Sequence, residues 1–268
     1  MHIENYVIIV CLLTGVIHFV GIVSLGSRIV AAQTQKIASS TSIFQVISLF
    51  AQFSAAIQAP LLTKSIERNI ILGGAPNETI FRIVVFSATI GAVLGAISIP
   101  TVHRFMKNGV DALYQHNSIY KVIVKSFKLS TLHHLKQSLK FPELRNFIRL
   151  KEYKDMPLGI MFLNVAVYSF ITVSVLSCLY AGYLNPHLRT TALSMNGFSI
   201  GLGVIGLSLF VEPYTATLTD KTIAGKVQQP YFRKYLSFVI LARIFGTLVG
   251  QLLFIPLAWV IIRLAEWL

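Results

Sequence analysis

The stretch that decides the fold is SFVILARIFGTLVGQLLFIPLAWVII, which occupies residues 237–262. A helix needs about 20 mostly apolar residues to cross the hydrocarbon core of a bilayer, and this stretch is long enough. It carries one charge, Arg243, about two helical turns from its start. The stretch therefore predicts a membrane-spanning helix with a guanidinium group inside it.

The composition of the whole chain supports a membrane protein. Hydrophobic residues make up 54% of the 268 residues and charged residues only 12%, and the mean hydropathy is +0.70. Soluble proteins carry about 25% charged residues. Runs of spanning length occur at 6–26, 42–62, 80–100, 157–184, 192–211 and 235–262. We therefore predict an all-α integral membrane protein in which residues 1–268 form one polytopic domain with six transmembrane helices. The first run has Glu4 and no Lys or Arg in its flank, so it is read as a retained helix.

The positive charges predict an orientation. With six spans, the loops after the first, third and fifth spans share one side, and they hold seventeen Lys and Arg residues against five on the other side. Loops rich in Lys and Arg stay in the cytoplasm. Both termini are therefore predicted to be extracytoplasmic.

Most of this charge lies in a long loop at residues 101–156, which is predicted to be cytoplasmic or interfacial and partly helical. Apolar and basic side chains take opposite faces of a helical wheel here, as in a helix that lies among lipid headgroups. The apolar face holds Ile119, Val122, Ile123 and Phe127, and the basic face holds Lys121, Lys125 and Lys128. Two interpretations remain open: the loop anchors to anionic membrane lipids, or it also gathers an anionic lipid-linked substrate. No nucleic-acid recognition motif accompanies the charge, so we predict no nucleic-acid partner.

Arg243 lies eight residues beyond Tyr235, which is about 12 Å of helix rise. A charge at such depth is costly and usually faces a protein interior or a wet cavity. An internal salt bridge, with Glu212 as the candidate partner, and a functional contact with an anion are both compatible with the sequence. Pro213 disfavours helical geometry at the residue before it, so the fifth helix is predicted to end or break at Glu212.

Two other spans carry polar or small residues at helical spacing. The second contains Gln45, Ser48, Gln52 and Gln58, which could either bond neighbouring helices or line a polar path. The fifth contains Gly197, Gly201, Gly203 and Gly206, and glycines so placed allow close packing or bending. Gly91 and Gly95 repeat this spacing in the third span.

Motifs for catalysis are missing from the sequence. It contains no HExxH, GxSxG or P-loop pattern and no Cys/His cluster with metal-ligand spacing. Cys11, Cys178 and His18 lie singly within predicted spans and are read as packing residues. The sequence thus favours a protein that binds or moves a ligand, with no catalytic residue, cofactor or metal predicted.

Two long stretches carry a family resemblance. Residues 189–227 read RTTALSMNGFSIGLGVIGLSLFVEPYTATLTDKTIAGKV, and 27–66 read SRIVAAQTQKIASSTSIFQVISLFAQFSAAIQAPLLTKSI. Both resemble the Amj (alternate to MurJ) family. The resemblance implies a bacterial lipid II flippase of the cytoplasmic membrane, which carries the undecaprenyl-pyrophosphate-linked peptidoglycan precursor to the outer leaflet.

A flippase must accompany the pyrophosphate across the membrane with cationic and polar groups. Our hypothesis assigns the pyrophosphate to Arg28 and Arg243, because guanidinium groups suit phosphate oxygens. Gln45, Gln52 and Gln58 are assigned to the headgroup path. Coupling or gating is assigned to Glu212, Asp220, Gly201, Gly203 and Gly206.

Several alternatives stay open at this point. Transport could be driven by the membrane potential or an ion gradient, or it could be passive. Six helices are few to enclose a large headgroup, which favours a homodimer or a groove open to lipid. The rival functions are an intramembrane enzyme acting on undecaprenyl pyrophosphate and a membrane scaffold for cell-wall synthesis.

Overall fold

A computed structural model describes residues 5–126 and 156–268, and these residues are almost entirely helical. The α-helices are α1 Asn5–Val23, α2 Gly26–Thr34, α3 Ile37–Ile71, α4 Glu78–His116, α5 Ile119–Ser126, α6 Leu158–Leu184, α7 Arg189–Ser194, α8 Asn196–Gly206, α9 Glu212–Ile223 and α10 Gln229–Trp267. A 3₁₀ turn, Pro186–Leu188, precedes α7, and a π-helical turn, Leu207–Val211, joins α8 to α9.

Six helical segments in this part of the chain are long and apolar enough to cross a membrane. They are Tyr6–Thr34, Ile37–Ile71, Glu78–His116, Leu158–Leu184, Pro186–Ile223 and Gln229–Trp267. The predicted fold class, an all-α membrane protein with six spans, is confirmed. The fifth span combines the 3₁₀ turn, α7, α8, the π-helical turn and α9.

Several helices extend beyond the predicted spans. Helix α4 continues past Pro100 to His116, so the first part of the 101–156 segment is a helical extension of the third span. Hydropathy marks only the part of a helix that suits hydrocarbon, and the helix itself continues where its side chains turn polar. Helix α5 places Val122 in the interior and Lys121 at the surface, as the helical wheel predicted. The remaining loop predictions, at 127–155, lie outside the described residues.

The prediction from Pro213 was that the fifth helix ends or breaks at Glu212; the helix does not end there, but a π-helical turn interrupts its α-helical pattern directly before Glu212. The Glu212 N–H donates to the carbonyl of Leu207, five residues back, which widens the helix into a π-helical turn. Pro213 then occupies the first turn of α9, where the missing N–H of a proline costs no helical hydrogen bond. The chain therefore stays helical through Glu212.

The helices pack as two units of three spans. In the first unit, α1 packs mainly against α4 and then against α3; in the second, α6 packs mainly against α10 and then against α8. Glycines allow these contacts: a Cβ added to Gly91 would lie 2.2 Å from the Gly15 carbonyl oxygen, and one added to Gly246 would lie 2.9 Å from the Val165 carbonyl oxygen. Contacts between α4 and α10 connect the two units.

Two hydrophobic clusters fix the two ends of the bundle. The first contains Leu62, Phe81, Cys178 and Phe254, so it joins both units, with the Phe81 and Phe254 rings stacked at 5.7 Å. The second joins α2 to α6, α9 and α10 through residues that include Ala32, Met161, Leu218 and Tyr235. We call the second end the basic end, because Lys221, Lys226, Arg233 and Lys234 lie there, and the first the opposite end.

Candidate functional site

Three charged side chains from distant parts of the sequence meet towards the basic end. Arg28 Nη2 donates to Glu212 Oε2 at 2.7 Å, and Arg243 Nη2 lies 3.7 Å from Glu212 Oε1. One carboxylate thus faces two guanidinium groups. We refer to Arg28, Glu212 and Arg243 as the charged cluster.

Local structure positions each member of the cluster. Arg28 lies in α2, which is attached to α3 by a 2.7 Å hydrogen bond from Ser40 Oγ to the Ser27 carbonyl. Glu212 is the first residue after the π-helical turn, and such turns are frequent at functional sites. Arg243 projects from α10 into the interior, with only 5% of its surface exposed.

The atoms of the Arg243 guanidinium group differ in what they contact. Its Nη1 donates to the carbonyl oxygen of Gly21 at 3.0 Å, and its carbon lies 5.0 Å from the centre of the Tyr168 ring. Its Nε is buried and has no hydrogen-bond partner. A buried donor without an acceptor is costly, which makes this nitrogen a candidate contact for a ligand.

The charges of the cluster do not cancel. Two guanidinium groups against one carboxylate leave one positive charge in excess. The side chains of Arg28 and Glu212 are 32% and 35% exposed, so the cluster can be approached from outside the protein interior, whereas that of Arg243 is 7% exposed. An excess positive charge with an accessible side favours an anionic ligand.

Two further polar residues lie in this region of the interior. The His18 ring stands edge-on to the Tyr168 ring with 6.1 Å between centroids, and its Nδ1 has no partner. Asn164, one helical turn before Tyr168 on α6, is fully buried, and neither its Oδ1 nor its Nδ2 has a partner. His18 was predicted to be a packing residue, and Asn164 was not among the predicted site residues; an amide within the apolar run 157–184 was the available signal.

The glutamines predicted for the headgroup path are not part of the cluster. Gln45 and Gln52 are exposed on α3, among apolar side chains that are also exposed. Gln58 is buried, and its Nε2 donates to Thr14 Oγ1 at 2.8 Å, so it bonds α3 to α1. Of the two roles that the sequence left open, Gln58 thus has the role of bonding neighbouring helices, and a polar path along Gln45 and Gln52 stays a prediction.

The predicted coupling and gating residues are also divided. Glu212 is in the cluster, whereas Asp220 is exposed two turns further along α9. A Cβ added to Gly203 or Gly206 would collide with Ile171 or Val167 of α6, at 2.5 and 2.8 Å. These two glycines therefore allow α8 to approach α6, while Gly201 faces open space.

The remaining His, Cys, Asp and Glu side chains bear on catalysis and metal binding. Within residues 5–126 and 156–268, no group of three or more His, Cys, Asp or Glu side chains could hold a metal ion. Cys11 and Cys178 are free thiols. In the part of the chain that the structure describes, the charged cluster is thus the main assembly of ionisable side chains within the spans.

Together, the six spans and the charged cluster define a multi-pass membrane protein with a net positive site between its helices. The chain belongs to the Amj family, described as alternate to MurJ, whose model matches residues 13–265. A relative from Bacillus subtilis (strain 168), named lipid II flippase Amj, is 29% identical over 252 residues, which are 94% of this chain and 93% of the relative. No solved structure matches the chain.

Proposed function

We propose that this protein is a lipid II flippase of the bacterial cytoplasmic membrane, a transporter and not an enzyme. It moves the undecaprenyl-pyrophosphate-linked peptidoglycan precursor from the cytoplasmic to the outer leaflet. The observation that carries the proposal is the charged cluster, in which two guanidinium groups share one carboxylate inside a membrane bundle. Membership of the Amj family and the name of the Bacillus subtilis relative support lipid II as the substrate.

In the proposed mechanism, the pyrophosphate of the substrate replaces the Glu212 carboxylate as the anion that Arg28 and Arg243 bind. Without substrate, Glu212 neutralises part of the charge of Arg28 and Arg243, which lowers the cost of holding them in the membrane. A pyrophosphate brings more negative charge and more acceptor oxygens than one carboxylate, and it suits two guanidinium groups. It would displace Glu212 and also supply an acceptor for the unpartnered Nε of Arg243.

The displaced carboxylate of Glu212 offers a means of coupling. Once it loses its two cationic partners in a membrane interior, its ionised form becomes costly, so it would take up a proton or a cation. Reformation of the ion pairs would then help to expel the pyrophosphate. Asp220, exposed at the end of α9, is proposed as a second carboxylate on the path of that ion.

The rest of the substrate needs a different surface. We propose that the sugar and peptide headgroup passes along the uncovered face of α3 that carries Gln45 and Gln52, while the prenyl chain stays in lipid. Gln58 holds α3 against α1 during this step through its bond to Thr14. The basic segment 101–156 gathers the substrate at the cytoplasmic face and binds anionic lipids. A groove of this kind, open to lipid, would serve a monomer, and a homodimer would enclose the headgroup more fully.

The proposal is tested with purified protein in liposomes that contain either lipid II or a prenyl-linked glycan without phosphate. The expected result is that lipid II exchanges between leaflets and the glycan does not, and that an imposed membrane potential or ion gradient changes the rate. Equal exchange of both lipids would refute recognition of the pyrophosphate. Release of inorganic phosphate from lipid II or undecaprenyl pyrophosphate would instead show an enzyme.

A further inference from the structure

The two three-span units share one pattern of packing. In each, the first helix is the centre, the third helix packs against it most extensively, and the second helix packs against it less extensively. In each, a short helix lies between the first and second long helical elements: α2 lies between α1 and α3, and α7 lies between α6 and α8. Three is an odd number, so the second unit enters the membrane from the side opposite to the first.

Glycines occupy matching positions in the two units. Gly91 and Gly95 of α4 approach the α1 backbone at Gly15 and Phe19. In the second unit, Gly246 and Gly250 of α10 approach the α6 backbone at the carbonyls of Val165 and Ser169. A proline follows each glycine pair, Pro100 in α4 and Pro256 in α10. The matching spacing indicates an inverted repeat, the arrangement on which many secondary transporters are built.

Two ion pairs connect the units in a reciprocal way. Arg28, in the short helix of the first unit, pairs with Glu212 in the second span of the second unit. At the opposite end, Arg189, which begins the short helix of the second unit, pairs with Glu67 in the second span of the first unit, with 3.0 Å between Nη2 and Oε1. If the two units were interchanged, each ion pair would take the place of the other.

We infer that these two ion pairs are the two gates of an alternating-access cycle. The inference rests on the proposed function and adds Glu67 and Arg189, which lie far from the charged cluster, as residues that control access. The Arg28–Glu212 pair closes the basic end, and the Glu67–Arg189 pair closes the opposite end. Because the repeat relates the pairs, opening one end favours closure of the other.

A native thiol offers a way to observe the gates. Cys178 is fully buried in the hydrophobic cluster that joins both units at the opposite end. Opening of that end would expose it, and opening of the basic end would protect it. The experiment measures the rate at which N-ethylmaleimide labels Cys178 in purified protein in lipid nanodiscs, with Cys11→Ala in every variant.

The gates predict changes of opposite sign. Glu67→Gln should increase the labelling rate about two- to fivefold, the size expected for loss of a half-exposed ion pair, and Arg28→Gln should decrease it. The double variant Glu67→Arg with Arg189→Glu should return the rate to that of the unaltered gates. Lys64→Gln is the matched control, since Lys64 lies 4.0 Å from Glu67 but belongs to the same helix, so its loss should leave the rate unchanged.

Changes of the same sign in Glu67→Gln and Arg28→Gln would show general loosening and would overturn the inference, as would no change. Labelling needs no lipid II, so the two proposals can fail separately. If the labelling rate changes in opposite directions but no lipid II is exchanged, the gates are supported and lipid II is refuted as the substrate. If lipid II is exchanged but the labelling rate does not change in opposite directions, only the gates are refuted.

Discussion

At the scale of single residues, the guanidinium group of Arg243 is the central feature of the site. The group contacts a backbone carbonyl, a carboxylate and an aromatic ring, and its Nε remains unpartnered. A residue needed only for packing would not require five donors at this depth. The arrangement is better explained if the site is complete only when an anion is bound.

Arg243→Lys tests the need for a planar group at this position. A lysine keeps the charge but cannot contact the Gly21 carbonyl and two pyrophosphate oxygens together, because its ammonium is a compact point charge. We expect lipid II exchange to fall about tenfold or more, which corresponds to about 1.4 kcal/mol. Arg263→Lys is the control, since Arg263 lies exposed on the same helix. Full exchange by Arg243→Lys would argue against bidentate recognition.

Glu212→Gln separates binding from release. The neutral amide raises the excess charge of the cluster and no longer competes with the substrate, so we expect lipid II to bind about tenfold more tightly while exchange slows. The two quantities are measured by titration of the purified protein and by the liposome assay. Glu266→Gln, which removes an exposed carboxylate paired within α10, should change neither. Weaker binding by Glu212→Gln would contradict the exchange of anions.

At the scale of helices, hydropathy predicted the spans well and their ends poorly. The apolar runs are set by the thickness of the hydrocarbon core, whereas the ends depend on polar turns and on hydrogen bonds such as that from Glu212 N–H to the Leu207 carbonyl. The π-helical turn could not be read from the sequence, because Pro213 is equally compatible with a helix end. The spacing of the glycines predicted close helix packing, but the residues that they contact are known only from the packed structure.

The glycines differ in what a side chain would meet, and this gives a prediction. An added Cβ at Gly91 would meet the backbone of Gly15, which cannot move without displacing α1. We therefore expect Gly91→Ala to destabilise the protein by about 1–3 kcal/mol, measured by thermal unfolding in detergent. Gly201→Ala, where no atom lies within 4 Å, should be neutral or slightly stabilising. Equal effects of the two substitutions would show that α1 and α4 are not packed as described.

At the scale of the whole molecule, composition established the class of protein, but the site required the fold. The sequence offered Glu212 as a partner of Arg243 and assigned Arg28 and Arg243 to one pyrophosphate, and the packing of α9 against α2 and α10 brings all three side chains together. Asn164 and the Glu67–Arg189 pair were missed, since single polar residues in or near a span do not reveal their partners. The two units and their reciprocal ion pairs are visible only in three dimensions.

The charge distribution predicts the orientation of the molecule in the membrane. Seventeen Lys and Arg residues in the loops on one side against five on the other place the termini outside the cell. Alkaline phosphatase, which is active only outside the cytoplasm, should be active when fused after Leu268. A fluorescent protein that folds only in the cytoplasm should be dark at the same position. The reverse result would invert the orientation and place the charged cluster towards the outer leaflet.

The central claim is that the charged cluster carries lipid II across the membrane, and one measurement tests it most directly. Outer-leaflet lipid II is quantified in cells depleted of every other flippase that express, at matched levels, the wild-type protein, Arg243→Ala or the control Arg263→Ala. We predict that the wild type and Arg263→Ala restore outer-leaflet lipid II and that Arg243→Ala, although folded, does not. Full restoration by Arg243→Ala, or none by the wild type, would contradict the account.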